Sequence, residues 1–298
     1  MIDRISEWLF GMTVDVLYDM LREVFYTMVA SSANMLDTGA TGAAGQVAQS
    51  PMQWLGGAPG AIVQSLAETV IPPIAGIILA YIMCWELLQL ITDRNNHEEF
   101  DINSVFVFII KLVVAVFLAT NAWPIAMGMF DVAGWLVNAA AVHTSAVTIP
   151  SMGDIRGALE DAEISALLAL ILPIGIVNLS SRIMPIIVSI IVWGRTIEIL
   201  IVASAAPIPL ATLMQRDMSG MGQNYLKYLA ALGFQGFLIM VCFAIHAAVF
   251  RSLLPAVGGT LTVDDITSWG WSMFAVTLLL CFMLFQTKAI SKSIFSAH

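Results

Sequence analysis

Charge is scarce in this chain. Only 11% of its 298 residues are charged and 59% are hydrophobic, against about 25% charged in an ordinary globular chain. The mean hydropathy of +0.88 points the same way. These values exclude a soluble domain and imply an integral membrane protein. Positive charge is scarcest: 12 Lys and Arg face 21 Asp and Glu, a formal net charge of −9. The basic residues are scattered, whereas gripping a nucleic-acid backbone needs Lys and Arg in clusters. Cysteine is scarce as well. Cys84, Cys242 and Cys281 each lie in an apolar run, where thiols behave as small hydrophobes, so neither a disulfide framework nor a metal site is expected. The sequence contains no G-x-S-x-G, H-E-x-x-H, C-x-x-C or Walker-type loop, and so no enzyme and no cofactor is expected. His97 beside Glu98 and Glu99 has no second His at i+4 and reads as a solvated loop.

What is present is helical apolar sequence. The pattern predicts an all-α, polytopic helical membrane protein with about five transmembrane helices plus an N-terminal amphipathic helix. Residues 1–36 form that first helix, with Ile5, Trp8, Leu9, Met12, Val16, Leu17, Met20, Val24 and Met28 on its apolar side and Asp15, Asp19, Arg22 and Glu23 opposite. Charge throughout this segment argues against a cleavable signal peptide. It reads as an interfacial or partner-binding helix, or as one folded over the chain's own spans. Residues 37–61, rich in Gly and Ala, read as a flexible extracytoplasmic loop with Trp54 as a headgroup-level anchor. Residues 62–298 form the transmembrane domain, with spans at about 70–91, 104–130, 186–213, 227–254 and 266–288. Lys111 lies near enough to the start of its span to snorkel without a partner. The apolar run 164–213 is too long for one crossing. The preferred reading is a shallow or re-entrant helix over 164–180 followed by one span; the alternative is two spans folded at Arg182. His246 reads as an internal histidine.

The most informative stretch is Val192 to Met240. Arg195 and Glu198, spaced i, i+3, lie on one helix face and can pair, which suits charges inside a membrane. The pair either fixes helix register or forms a polar lining or subunit contact. Pro207 and Pro209 should end the helix near Ala205. Arg216 and Lys227 bracket a Gly- and Ser-containing loop that reads as cytoplasmic, and Gly233, Gln235 and Gly236 mark a close-packing face. With Lys288 and Lys292 also inside, five spans place the N-terminus outside and the C-terminus in the cytoplasm.

The order Arg195…Glu198, Ala206-Pro207-Ile208-Pro209-Leu210-Ala211, Gly222-Gln223-Asn224-Tyr225-Leu226 and Ala231-Leu232-Gly233-Phe234-Gln235-Gly236-Phe237 resembles the TrbL-like polytopic membrane subunit of type IV secretion (conjugation) systems. The likeness is nearest to the versions on conjugative elements of Gram-positive bacteria. The resemblance implies an integral channel or scaffold subunit that helps move a DNA–protein substrate across the cytoplasmic membrane. It implies other type IV secretion subunits as partners, homo-oligomerisation, contact with the lipid bilayer and transient contact with the transferred DNA. The competing reading is a stand-alone secondary transporter or channel, but such folds show internal repeats; none is visible here, and five spans cannot be an even duplication.

Overall fold

A computed structural model describes residues 2–37, 42–93, 102–141, 164–215, 219–253 and 263–297. Among these the regular elements are helices: α1 (Ile2–Leu36), α2 (Ala43–Ala48), a 3₁₀ turn (Pro51–Gly57), α3 (Ala58–Thr69), α4 (Ile71–Asp93), α5 (Ile102–Thr120), α6 (Ala122–Ala141), α7 (Ile164–Ser204), α8 (Pro207–Ala211), α9 (Ser219–Leu253) and α10 (Val263–Ile294). Six described helical stretches are long and apolar enough to cross a membrane: Pro51–Thr92, Asn103–Thr120, Ala122–Ala141, Leu168–Ser204, Ser219–Leu253 and Asp264–Ile294. The chain is therefore an all-helical, multi-pass membrane protein.

The sixth stretch arises where one span was expected over 104–130. Pro124 has no N–H to give the Thr120 carbonyl and its ring crowds that carbonyl, which bends a helix at this point. The hydrogen bonding nonetheless runs through the bend: Asn121 N donates to Phe117 O (3.0 Å) and Ile125 N to Asn121 O (3.1 Å). Thus α5 and α6 form one bent rod.

The expected break near Arg182 is absent. α7 is a single helix of 41 residues containing Pro173 and Pro185. Pro173 and Pro185 leave the carbonyls of Ala169 and Ser181, four residues back, without their helical donors, a gap that long membrane helices absorb. Serine hydroxyls bond to other carbonyls of the same helix. Ser181 Oγ donates to Asn178 O (2.8 Å) and Ser189 Oγ to Pro185 O (2.9 Å). Arg182 is paired at the helix surface, with Nη2 donating to Glu23 on α1 (3.0 Å) and Nε to Asn178 Oδ1 (3.1 Å).

Nor is the described part of the Gly/Ala-rich segment a loose loop. It folds as α2 and the 3₁₀ turn, and Leu55, Gly56 and Gly57 adopt positive φ of 50°, 73° and 85° to reverse the chain, a conformation glycine reaches without steric cost. Trp54 is buried, with its ring edge-on to Trp193 at 6.5 Å. An indole releases more free energy when packed than at a wet surface.

The chain divides into two compact units. The first comprises Met1–Gln46, Asn138–Val192 and Leu238–Thr287. Its core is a stripe on α1, Val14, Leu17, Leu21 and Val24, packed on Leu170, Ile174 and Val177 of α7, Ala247 and Phe250 of α9, and Ile266, Trp269 and Met273 of α10. The buried stripe of α1 is rotated from the expected one: Leu17 and Val24 are shared, whereas Trp8, Met12 and Val16 are exposed. The 3-4-3 spacing of 14, 17, 21 and 24 keeps one side of a 3.6-residue helix on its neighbours.

The second unit comprises Val47–Val137, Trp193–Phe237 and Lys288–His298. One core joins Trp54, Trp123, Met127 and Phe130 to Ile199, Leu200, Leu210, Leu229 and Leu232. A smaller one joins Leu79, Ile82 and Met83 of α4 to Ala115 of α5 and Ala211 of α8. The outward side chains of α4 and α5 are strongly apolar, with Ile77, Tyr81, Phe106, Val113 and Phe117 exposed, as a lipid-facing surface requires.

Candidate functional site

The polar side chains of the second unit gather at α7, α9 and the end of α10. Arg195 is buried, at 6% exposure. Its guanidinium donates to three backbone carbonyls: Nε to Leu232 O (3.2 Å), Nη1 to Val47 O (3.2 Å) and Nη2 to Gly233 O (3.4 Å). Val47 lies in the last turn of α2, where carbonyls have no partner within their own helix. Glycine makes the approach to α9 possible. A Cβ at Gly236 would sit 2.8 Å from Arg195 Nη2 and 3.1 Å from Val47 Cγ1, and one at Gly233 would sit 3.1 Å from the Ala133 Cβ. Gln235, between them, is buried.

Glu198, one turn further along α7, looks elsewhere. Its Oε1 accepts from Tyr228 OH (2.5 Å) and pairs with Lys288 Nζ (2.6 Å). Lys292 Nζ lies 4.4 Å from the Tyr228 ring centroid, and Ser291 Oγ donates to Ala231 O (2.5 Å). α7, α9 and α10 are thus stitched by one carboxylate, two ammonium groups, a phenol and a serine. The expected Arg195–Glu198 pair is not formed. Three residues of helix separate the two side chains by about 60° of arc, enough for each to enter a different interface where better-placed partners wait.

A second ion pair lies on α4 and α5. Lys111 Nζ donates to Glu86 Oε1, with the two side chains 26% and 11% exposed. Lys111 therefore does have a partner. Snorkelling frees a lysine from needing one only when water is within reach.

The remaining sequence-flagged residues fall as follows. α7 ends at Ser204 and Pro207 opens the short α8, which also contains Pro209. Arg216 lies outside the described residues, as do His97, Glu98 and Glu99. Lys227 sits within α9, exposed, because the helix begins at Ser219 rather than after the loop expected there. In the first unit, His246 is buried with no hydrogen-bond partner at Nδ1, its ring 6.2 Å from Phe250. Sequence reading missed the Val47 carbonyl, Tyr228 and Glu86 as site groups. Lys288 and Lys292 were noticed only as orientation signals, although their i, i+4 spacing already put both on one face of α10.

Long apolar helices tied together by internal ion pairs and arginine–carbonyl bonds define a polytopic membrane protein. Over residues 36–207, more than half of the chain, the sequence matches the family described as TrbL/VirB6 plasmid conjugal transfer like protein, and the chain belongs to that family. It is a TrbL-like component of a conjugal transfer, type IV secretion complex that contains other subunits. No curated protein and no solved structure matches it. The matched segment holds Val47, Glu86, Lys111, Arg195, Glu198 and Pro207; it ends before Pro209, Tyr228, Gly233, Gly236 and Lys288, which complete the cluster.

Proposed function

We propose that the chain is an integral channel or scaffold subunit that helps pass a DNA–protein substrate across the cytoplasmic membrane, and that the Glu198 cluster is where it meets a neighbouring subunit or a water-filled passage. One observation carries this. The Lys288 and Glu198 side chains remain 43% and 24% exposed on helices long and apolar enough to cross a membrane. A half-exposed ion pair facing hydrocarbon would be costly, and intramembrane charges face a protein interior or an aqueous cavity instead. In the assembled machine another chain, a second copy of this one, or water reaching in from the cytoplasmic end of α10 meets them. The role is structural: transport energy and any covalent chemistry come from partner subunits, and contact with DNA is transient, consistent with the scattered basic residues. The transporter reading has no repeat to support it.

For topology we propose five crossings, with the bent α5–α6 rod counted once, the N-terminus outside and the C-terminus in the cytoplasm. The bonds that run through Asn121 favour this count over six.

Conjugation frequency and co-purification test the reading. Glu198→Gln removes the counter-charge of Lys288 and is expected to lower transfer by about tenfold or more, the equivalent of about 1.4 kcal/mol, while the protein still accumulates. Glu198→Gln combined with Lys288→Met, which removes both charges, restores accumulation if the single variant lowers it, yet still impairs transfer. A photo-crosslinker at position 288 should capture a secretion subunit or a second copy. Undiminished transfer in the double variant together with no crosslink would overturn the proposal.

A further inference from the structure

Within the first unit, α1, α2 and α7 leave a groove of about 510 Å³ between them. Its walls are mainly apolar: Thr27, Ala30 and Met35 on one side, Pro185, Val188 and Val192 on the other. The groove begins one turn beyond a polar cluster. Arg182 donates to Glu23 and to Asn178, Arg22 lies 5.6 Å from the centroid of Tyr26, and Tyr26 itself lines the groove. Glu23 and Asn178 take two of the five N–H groups a guanidinium carries, and the Arg182 side chain is 59% exposed.

The length of α7 gives this arrangement a level in the membrane. Its 41 residues span about 62 Å at 1.5 Å each, roughly twice the hydrocarbon thickness of about 30 Å. Arg182 stands near the middle, and a charged, exposed pair there suits an edge at which hydrocarbon gives way to headgroups. From 183 to 204 the helix is long enough for one crossing, and the groove opens on that side of Arg182. Two guanidinium groups against one carboxylate, Glu23, leave this cluster a net positive charge, and with Tyr26 above an apolar slot it complements a phosphate joined to an acyl chain in both charge and shape.

We propose that this groove binds one acyl chain of an anionic phospholipid, with Arg182 and Arg22 holding its phosphate. The site is separate from the Glu198 cluster, and it stands whether or not that cluster faces a channel. Filling the groove ties α1 to α7 through a lipid, so the bound molecule acts as a structural element of the unit.

The test uses the full chain, extracted in mild detergent, exchanged extensively, and analysed by native mass spectrometry and by lipid extraction. It is then re-exposed to nanodiscs of phosphatidylglycerol or phosphatidylethanolamine. The wild type should retain one phospholipid per chain and rebind phosphatidylglycerol in preference. Val188→Trp, which fills the slot, should lose the retained lipid. Ala30→Trp fills it from the exposed side of α1 and provides the same reading if the first variant fails to fold. Arg182→Gln should keep the slot but lose the preference for phosphatidylglycerol. Absence of retained lipid in the wild type, or retention in a folded groove-filling variant equal to the wild type, would overturn the site. Unchanged headgroup preference in Arg182→Gln would overturn the phosphate contact.

Discussion

Arg195 sets the terms for its neighbourhood. A buried guanidinium without a carboxylate is stable only if dipoles replace water around it, and here three carbonyls do so. Because the fit depends on bare glycine, Gly236→Ala should push a methyl group against Nη2 and destabilise the protein by about 1–3 kcal/mol, the usual cost of overpacking. The loss of melting temperature in detergent measures it, and Gly220→Ala, where an added Cβ meets nothing within 4 Å, is the control. Much of this was legible in the sequence: Arg195, Glu198, Gly233 and Gly236 stand out as charges and glycines in apolar surroundings. Their partners were not. A carbonyl carries no residue-specific signal, and Val47 lies 148 positions from the arginine it binds. The i, i+3 spacing of Arg195 and Glu198 suggested the nearer partner, and competition from α9 and α10 decided otherwise.

Among the helices, α1 gives the sharpest contrast between its faces. Leu17 is fully buried while Trp8 is 64% exposed. Leu17→Ala should cost about 2–5 kcal/mol through the cavity it leaves. Trp8→Ser should alter the melting temperature little, since exposed substitutions stay within about 0.5 kcal/mol, yet lower the yield of partner subunits on affinity purification. A partner yield unchanged by Trp8→Ser and Met12→Ser together would show that this stripe docks nothing. Periodicity made the helix legible but not its rotation, because α1 has apolar residues on more than one side and the neighbours choose which are covered. α5 and α6 show the reverse: Pro124 was visible, but its effect depends on whether the chain turns or merely bends, and only the hydrogen bonds through Asn121 distinguish the two.

For the molecule as a whole, class was legible and path was not. Composition and the long apolar runs together reached a polytopic helical membrane protein, since 11% charged residues is far below the usual share of a soluble chain. The number of crossings depends on two prolines in α7 and one in α6, which long helices can absorb without reversing. On a background with Cys84, Cys242 and Cys281 replaced, single cysteines at Glu98 and Gly157 should lie on opposite faces of the membrane if α5 and α6 cross as one rod. An impermeant thiol reagent on intact cells should then label 157 and spare 98 and 296. Equal labelling of 98 and 157 would make α5 and α6 separate crossings. The family match reaches residue 207, and geometry ties the second half of the polar cluster to the first.

The arginine clamp also has an evolutionary consequence. All three of its acceptors are main-chain atoms, so the side chains at 47 and 232 answer to packing rather than to the clamp. The spacing is not free. A one-residue deletion between 43 and 47 would rotate the accepting carbonyl by about 100° and leave a guanidinium N–H without a partner. Lineages carrying such a clamp should tolerate apolar exchanges of similar size in the short helix ahead of it while keeping its length fixed, and a library of single deletions scored beside such substitutions would read out that asymmetry directly.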